Sequence, residues 1–158
     1  MDIFNINLPS LYLLIFTLDN QRFALPVSSM ERVFPVVEVT PLPGAPDIVT
    51  GIVNIHGSII PVFNIRRRFH LPETAINLTD KLIITRTASR SVGIVVDAVS
   101  DVMEYTEKDI VNADKIVPGM EYIDGVARLD DNMILIHNID KFLSPGEENK
   151  LDEAMKKL

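Results

Sequence analysis

Short β-branched and aromatic runs bounded by turn residues fill most of this chain, and apolar spacing of helical period is confined to its end. Leu11 to Leu18 reads as a strand, Asp19-Asn20 as a turn, and Phe23 to Val27 as the returning strand. Met30 to Phe34 and Val36 to Thr40 follow, broken by Pro35. Ile52 to Ile55 and Ile59 to Phe63 form a hairpin around His56-Gly57-Ser58, with Gly57 setting the turn because it takes positive φ without steric cost. Pro61 lacks an N–H and must sit where no neighbouring strand needs one. Asn64 caps a helical turn from Ile65. With about ten strands and little helix, the pattern favours small barrels over a parallel α/β sheet.

The pattern occurs twice. Gly51 to Ile65 aligns without gaps with Gly125 to Ile139, at an offset of 74. Upstream, Leu14-Ile-Phe-Thr17 matches Leu82-Ile-Ile-Thr85 at 68, and after a one-residue slip Phe23 to Phe34 matches Val92 to Met103 at 69. A duplicated unit is the reading, with copies at about 12–70 and 81–143 inside a domain spanning 1–143. Asp114 to Gly119 reads as a loop, Asp130-Asp131-Asn132 as a turn, and Thr106 to Asp109 as a capping box. Residues 144–158 differ in kind. Ser144-Pro145-Gly146-Glu147 is a helix start, and Leu151, Ala154, Met155 and Leu158 share one face. This amphipathic helix is expected to dock on the body, a partner-binding helix being the alternative.

Composition narrows the chemistry. Residues 1–96 carry eight Lys/Arg and seven Asp/Glu, a net of +1; residues 97–158 carry seven and fifteen, a net of −8. That balance argues against nucleic acid as a partner. Arg66-Arg67-Arg68, the one basic run, reads as a solvated helix face. The chain has no cysteine, Leu11 to Phe16 is too short to span a membrane, and Met1-Asp2 has no basic leader, so a cytoplasmic protein without direct membrane insertion is expected. No phosphate-binding glycine loop, nucleophile elbow or metal-ligand spacing of histidines is present. His137 falls opposite Phe63 in the repeat, where a satisfied structural histidine is expected. Neither catalysis, cofactor nor metal is expected.

Tyr12 to Leu18, Glu31-Arg-Val33, Gly51 to Ile65, Val92 to Asp97 and Val99 to Val102 together resemble the bacterial chemotaxis coupling protein family, CheW, from about Tyr12 to Leu143. A chain of this length without an attached kinase or receiver domain resembles the coupling protein itself. The resemblance implies a mainly β fold of two five-stranded SH3-like barrel lobes with short helices. It implies a non-enzymatic adaptor between chemoreceptor tips and the regulatory domain of the histidine kinase CheA, in rings that include other CheW-like proteins, at membrane receptor arrays. The receptor hairpin would lie in a groove between the lobes. Val27, Met30 and Val33 correspond to Val96, Val99 and Val102, so each lobe would supply one wall, although about half of each series could fill its own barrel. Glu31, His56 and Gly57 complete the expected receptor- and kinase-binding set. Where the family has arginine before the turn glycine, this chain has His56; the arginine's partner would be the acid at Glu31 or one on the receptor or kinase. The departure leaves open a variant or non-flagellar signalling system. A sensor holding a small molecule in the groove is the rival reading.

Overall fold

The computed structural model describes residues 11–112, 122–129 and 132–158; Asp114 to Gly119 and Asp130-Asp131 lie outside them. Among the described residues eleven strands form two sheets. One sheet contains β1 (Leu11–Leu18), β2 (Gln21–Pro26), β8 (Ala98–Tyr105), β9 (Ile110–Asn112), β10 (Ile123–Leu129) and β11 (Asn132–His137), in the order β8-β1-β2-β11-β10-β9. The other contains β3 (Met30–Pro35), β4 (Val49–Ile55), β5 (Ser58–Phe63), β6 (Lys81–Arg86) and β7 (Ser91–Val96), in the order β3-β6-β7-β5-β4. The first sheet exceeds the expected five strands because β9 adds to β10. In the second the corresponding segment, read from sequence as the strand Val36 to Thr40, forms no strand and makes a single β-bridge, between Thr40 and Ile52. Helices are α1 (Ile65–Arg68) and α2 (Pro145–Lys156).

The lobes do not follow the halves of the chain. β1 and β2 complete the sheet of β8 to β11, whereas β6 and β7 complete that of β3 to β5. Both sheets share one register. Leu14 pairs with Leu25 and with Val102; Ile83 pairs with Ile94 and with Val33. These ladders coincide at a uniform offset of 69, so the slip inferred in the first strand does not exist: Leu82 occupies the place of Leu13. The bulges coincide too, one between Met30 and Arg32 and one between the partners of Val99 and Asp101.

The hairpin at residue 56 is a two-residue turn with φ of 51° at His56 and 87° at Gly57, and Asp19-Asn20 is its counterpart in geometry, at 50° and 64°. Positive φ at both central positions matches the twist of the flanking strands. Pro61 lies outside the short parallel ladder between β5 and β7, which spans Val62 and Phe63. Gly51 and Gly125, the paired glycines of the repeat, answer a different demand. A Cβ at Gly51 would stand 2.2 Å from the carbonyl oxygen of Thr40, and one at Gly125 2.9 Å from that of Val111.

Three apolar clusters result. Leu13, Ile15, Ala127, Ile134 and Ile136 fill the first lobe, and Val53, Ile60, Val62, Leu82 and Ile84 the second. The largest cluster joins the lobes: Leu14, Phe16, Phe23 and Leu25 meet Ile83, Val92 and Ile94. β1 and β6 are therefore buried on both faces, which explains their unbroken apolar runs.

Candidate functional site

The expected binding residues fall into two groups. Val27, Met30, Val33, Val96 and Val99 all border or enter the cluster between the lobes, and none fills a barrel interior. In an unbroken strand, residues three apart point to opposite faces; the bulge between Met30 and Arg32 puts Met30 and Val33 on the same one. The equivalence of the two series does not extend to exposure. Val96 is fully buried and has no surface to offer a partner, a correction to its expected place in a groove wall. Val102 is 49% exposed, whereas its counterpart Val33 is half-buried against the shared core. Tyr12, 50% exposed on β1, lies on the same face as Leu14, the cross-strand partner of Val102. The seam thus presents an apolar margin of Tyr12, Val102 and the half-buried Met30, Val33 and Val99.

Glu31, His56 and Gly57 belong elsewhere. Glu31 and His56 line a concavity of about 370 Å³ at the mouth of the second barrel, with Arg32, Phe34, Ile59, Ile84, Arg90 and Met155 among its walls. The expected relation between Glu31 and residue 56 is absent: the Ser91 hydroxyl donates to Glu31, and His56 lies beside the ring of Phe34, with centroids 6.4 Å apart. Arg32 sits over that same ring, 5.7 Å from its centroid.

Sequence reasoning missed the polar groups that hold the seam. Arg66 and Arg68 are not part of a solvated face, whereas Arg67 is exposed as expected. Arg66 donates to Asp19 at 2.6 Å and to Asp97 at 2.5 Å with only 11% of its side chain exposed; Arg67 donates to Glu73 at 2.8 Å and Arg68 to Glu147 at 2.8 Å. Arg66 thereby ties α1 to the β1–β2 turn of the other lobe and to the residue joining β7 to β8. Across the repeat, the place of Arg66 is taken by Asp140 and that of Asp19 by Ala88. Asp140 accepts a hydrogen bond from the Ala88 backbone N–H at 2.7 Å. In each copy the segment after the last strand thus grips that copy's own first turn, which the strand exchange has placed in the other lobe. Only the partner roles differ, and no single-strand pattern could have revealed it. α2 docks on the body as expected, burying Leu151 and Ala154, with the Ser144–Glu147 capping box formed and Asp152 paired with Arg90.

His137 is buried but not satisfied, a correction to its expected role. Neither ring nitrogen has a hydrogen-bond partner among the described residues, and the rings of Phe16, Phe23 and Phe69 surround it with centroids 4.2–5.4 Å away. Burial pushes its pKa down to about 3. The folded state therefore binds fewer protons than the unfolded chain. This contribution is intact above the unfolded pKa of ~6.5 and is lost as pH falls towards the folded value. Stability at pH 5 should be about 2 kcal/mol lower than at pH 7.5 on this account. Denaturant titrations of wild type and His137→Phe across that range would check it: the variant, which copies Phe63, should lose that part of the slope. Equal slopes would exclude His137 as the cause. Among the described residues no group of three or more His, Asp or Glu is arranged to hold a metal, and no helix is long and apolar enough to cross a membrane.

A family model described as CheW-like domain matches residues 12–147. The chemotaxis protein CheW of Klebsiella aerogenes is 30% identical over 145 residues, covering 90% of this chain and 87% of that protein. The CheW of Treponema pallidum is 29% identical, covering 88% and 85%. The crystal structure of the scaffolding protein TtCheW from Thermoanaerobacter tengcongensis superposes with a TM-score of 0.80 at 25% identity, covering 88% of this chain and 96% of that one.

Proposed function

The chain belongs to the family of CheW-like domains, and from that premise we propose that it is a non-enzymatic chemotaxis adaptor coupling chemoreceptor tips to the regulatory domain of the histidine kinase CheA. The observation that carries this reading is the apolar margin at the lobe seam. Val102 and Tyr12 are about half exposed, beside Met30, Val33 and Val99 on two outer strands in equivalent register. A receptor helix laid along it would use anchors spaced i, i+3, i+4 and i+7. Work in the cytoplasm at receptor arrays, and rings shared with other CheW-like proteins, follow from the same reading.

The test is binding of the purified chain to a receptor-tip fragment and to the kinase regulatory domain from the same cell. Val102→Asp should weaken receptor binding by about 2 kcal/mol, some thirtyfold, if Val102 is a central anchor. Its melting temperature should stay near that of wild type, because the position is exposed. Val96→Asp should instead unfold the protein, as burial of an unpaired charge demands. Failure of the wild type to bind either fragment would overturn the adaptor reading. Stabilisation by a metabolite in place of these partners would favour a sensor.

A further inference from the structure

The helix α2 starts from one lobe and ends on the other. The chain leaves the first sheet at His137, the end of β11, and the turn Ile139–Lys141 leads Phe142 and Leu143 into the cluster that joins the lobes. From the cap at Ser144 onward the helix lies against elements of the second lobe. Glu147 accepts from Arg68 of α1 at 2.8 Å, and Asp152 is paired with Arg90 in the β6–β7 turn. The Ala154 methyl stands 3.9 Å from where a Cβ on Gly44 would be, in the segment between β3 and β4. Leu151 and Ala154 are buried in the joining cluster, and Met155 packs against it.

Two features make this fastening separable from the folding of the lobes. A helix of twelve residues has little stability of its own in water, so it depends on being docked. Apolar burial is non-directional, whereas the two ion pairs fix where along the second lobe the helix sits. The arginines they involve are only 24% and 23% exposed, and Nε of each is buried with no hydrogen-bond partner among the described residues. Leaving such a charge without its acid is costly. The seam margin, in turn, is drawn from both lobes. Met30 and Val33 lie on β3, Val99 and Val102 on β8, and these strands belong to sheets that share no ladder. Their spacing depends on whatever holds the lobes together.

We propose that α2 is a strap, anchored in the first lobe and fastened to the second, that sets the spacing of β3 and β8 across the seam. Docked, it holds the margin in one arrangement; released, it lets the lobes turn on the joining cluster. The consequence for receptors rests on the adaptor reading, and the effect on the lobes does not.

The test uses the full chain, which has no cysteine, so spin labels on Ile59→Cys and Met133→Cys report a single distance. These are equivalent positions of the repeat, exposed on β5 of one lobe and β11 of the other. The distance distribution, amide exchange and receptor-tip affinity are measured for the otherwise wild-type chain, Asp152→Arg, Leu151→Ala and the swap Arg90→Asp with Asp152→Arg. Asp152→Arg should speed exchange in α2 about tenfold while β1 and β6 stay protected. It should broaden the distance distribution and weaken receptor binding about fivefold, and the swap should restore all three. Faster exchange in α2 with an unchanged distribution would overturn the strap, because release would leave the lobes where they were. Loss of protection through both lobes in Asp152→Arg and Leu151→Ala alike would also overturn it, making α2 part of a single core. So would exchange in α2 that neither variant speeds. A broadened distribution with unchanged receptor affinity would overturn its control of the seam. A broadened distribution in a protein whose wild type binds no receptor tip would overturn the adaptor reading and leave the strap standing.

Discussion

Replacing Phe142 with alanine is expected to cost about 4 kcal/mol of stability and to lower the melting temperature by about 10 °C. Phe142 is 2% exposed and lies in the cluster that joins the lobes. It stacks on Phe63 with centroids 5.0 Å apart and planes within 12°, and Arg68 covers its ring at 5.4 Å. Truncation removes the buried ring and leaves a cavity between two elements that cannot close it. Phe63 is held by its ladders to β4 and β7, and Arg68 by its ion pair to Glu147. The loss should spread to α2, because Arg68 and Leu143 brace that helix from the same side as Phe142. Urea denaturation gives the energy, and amide exchange in α2 gives the local effect. A cost below about 2 kcal/mol would mean that the seam repacks around the gap.

The Arg66→Ala variant should lose about 2–3 kcal/mol. Removing one member of a buried ion pair typically costs ~3–5 kcal/mol because the other charge is left behind. Here the remaining carboxylates keep access to water, at 30% and 37% exposure for Asp19 and Asp97, which reduces the figure. Most of the penalty is the repulsion and poor solvation of two facing acids. The triple variant Arg66→Ala with Asp19→Asn and Asp97→Asn should therefore be more stable than the single one. Arg66→Lys should fall between wild type and alanine, since a single ammonium cannot fork to both acids while donating to the Pro72 carbonyl. Because Asp97 joins the sheets and Asp19 belongs to the opposite lobe, a loosened latch should also weaken the receptor binding proposed above, in a protein that still folds. A triple variant no better than the single one would assign the loss to packing of the arginine stem instead.

These two positions mark the boundary between local and tertiary information. Strand and hairpin positions were legible because each depends on neighbours in sequence: period-2 burial, the turn at His56-Gly57, the caps at Asn64 and Ser144. The repeat was legible from Gly51 and Gly125 onward, since gapless alignment over fifteen residues needs no structure. The reason for those glycines was not, because the atoms a Cβ would strike, in Thr40 and Val111, belong to other segments. Family resemblance pointed to Glu31, His56 and the valine series as candidates, and their exposure in the fold differs. Val96 and Val102 are both valines in strands, and only the packing of one lobe on the other buries the first and leaves the second at the surface.

By itself, the sequence determined a mainly β chain of two similar copies with a capped C-terminal helix, because alternation, turn chemistry and capping act within a few residues. Tertiary structure alone decided that each copy lends its first two strands to the other. A strand's apolar faces specify that it must be covered on both sides, not which sheet covers it. The same limit hid the roles of Arg66 and His137. A run of three arginines carries no record of the acids it will meet 47 and 31 residues away. A histidine in an apolar strand gives no sign that three phenylalanines from separate elements will surround it and leave its nitrogens without partners among the described residues.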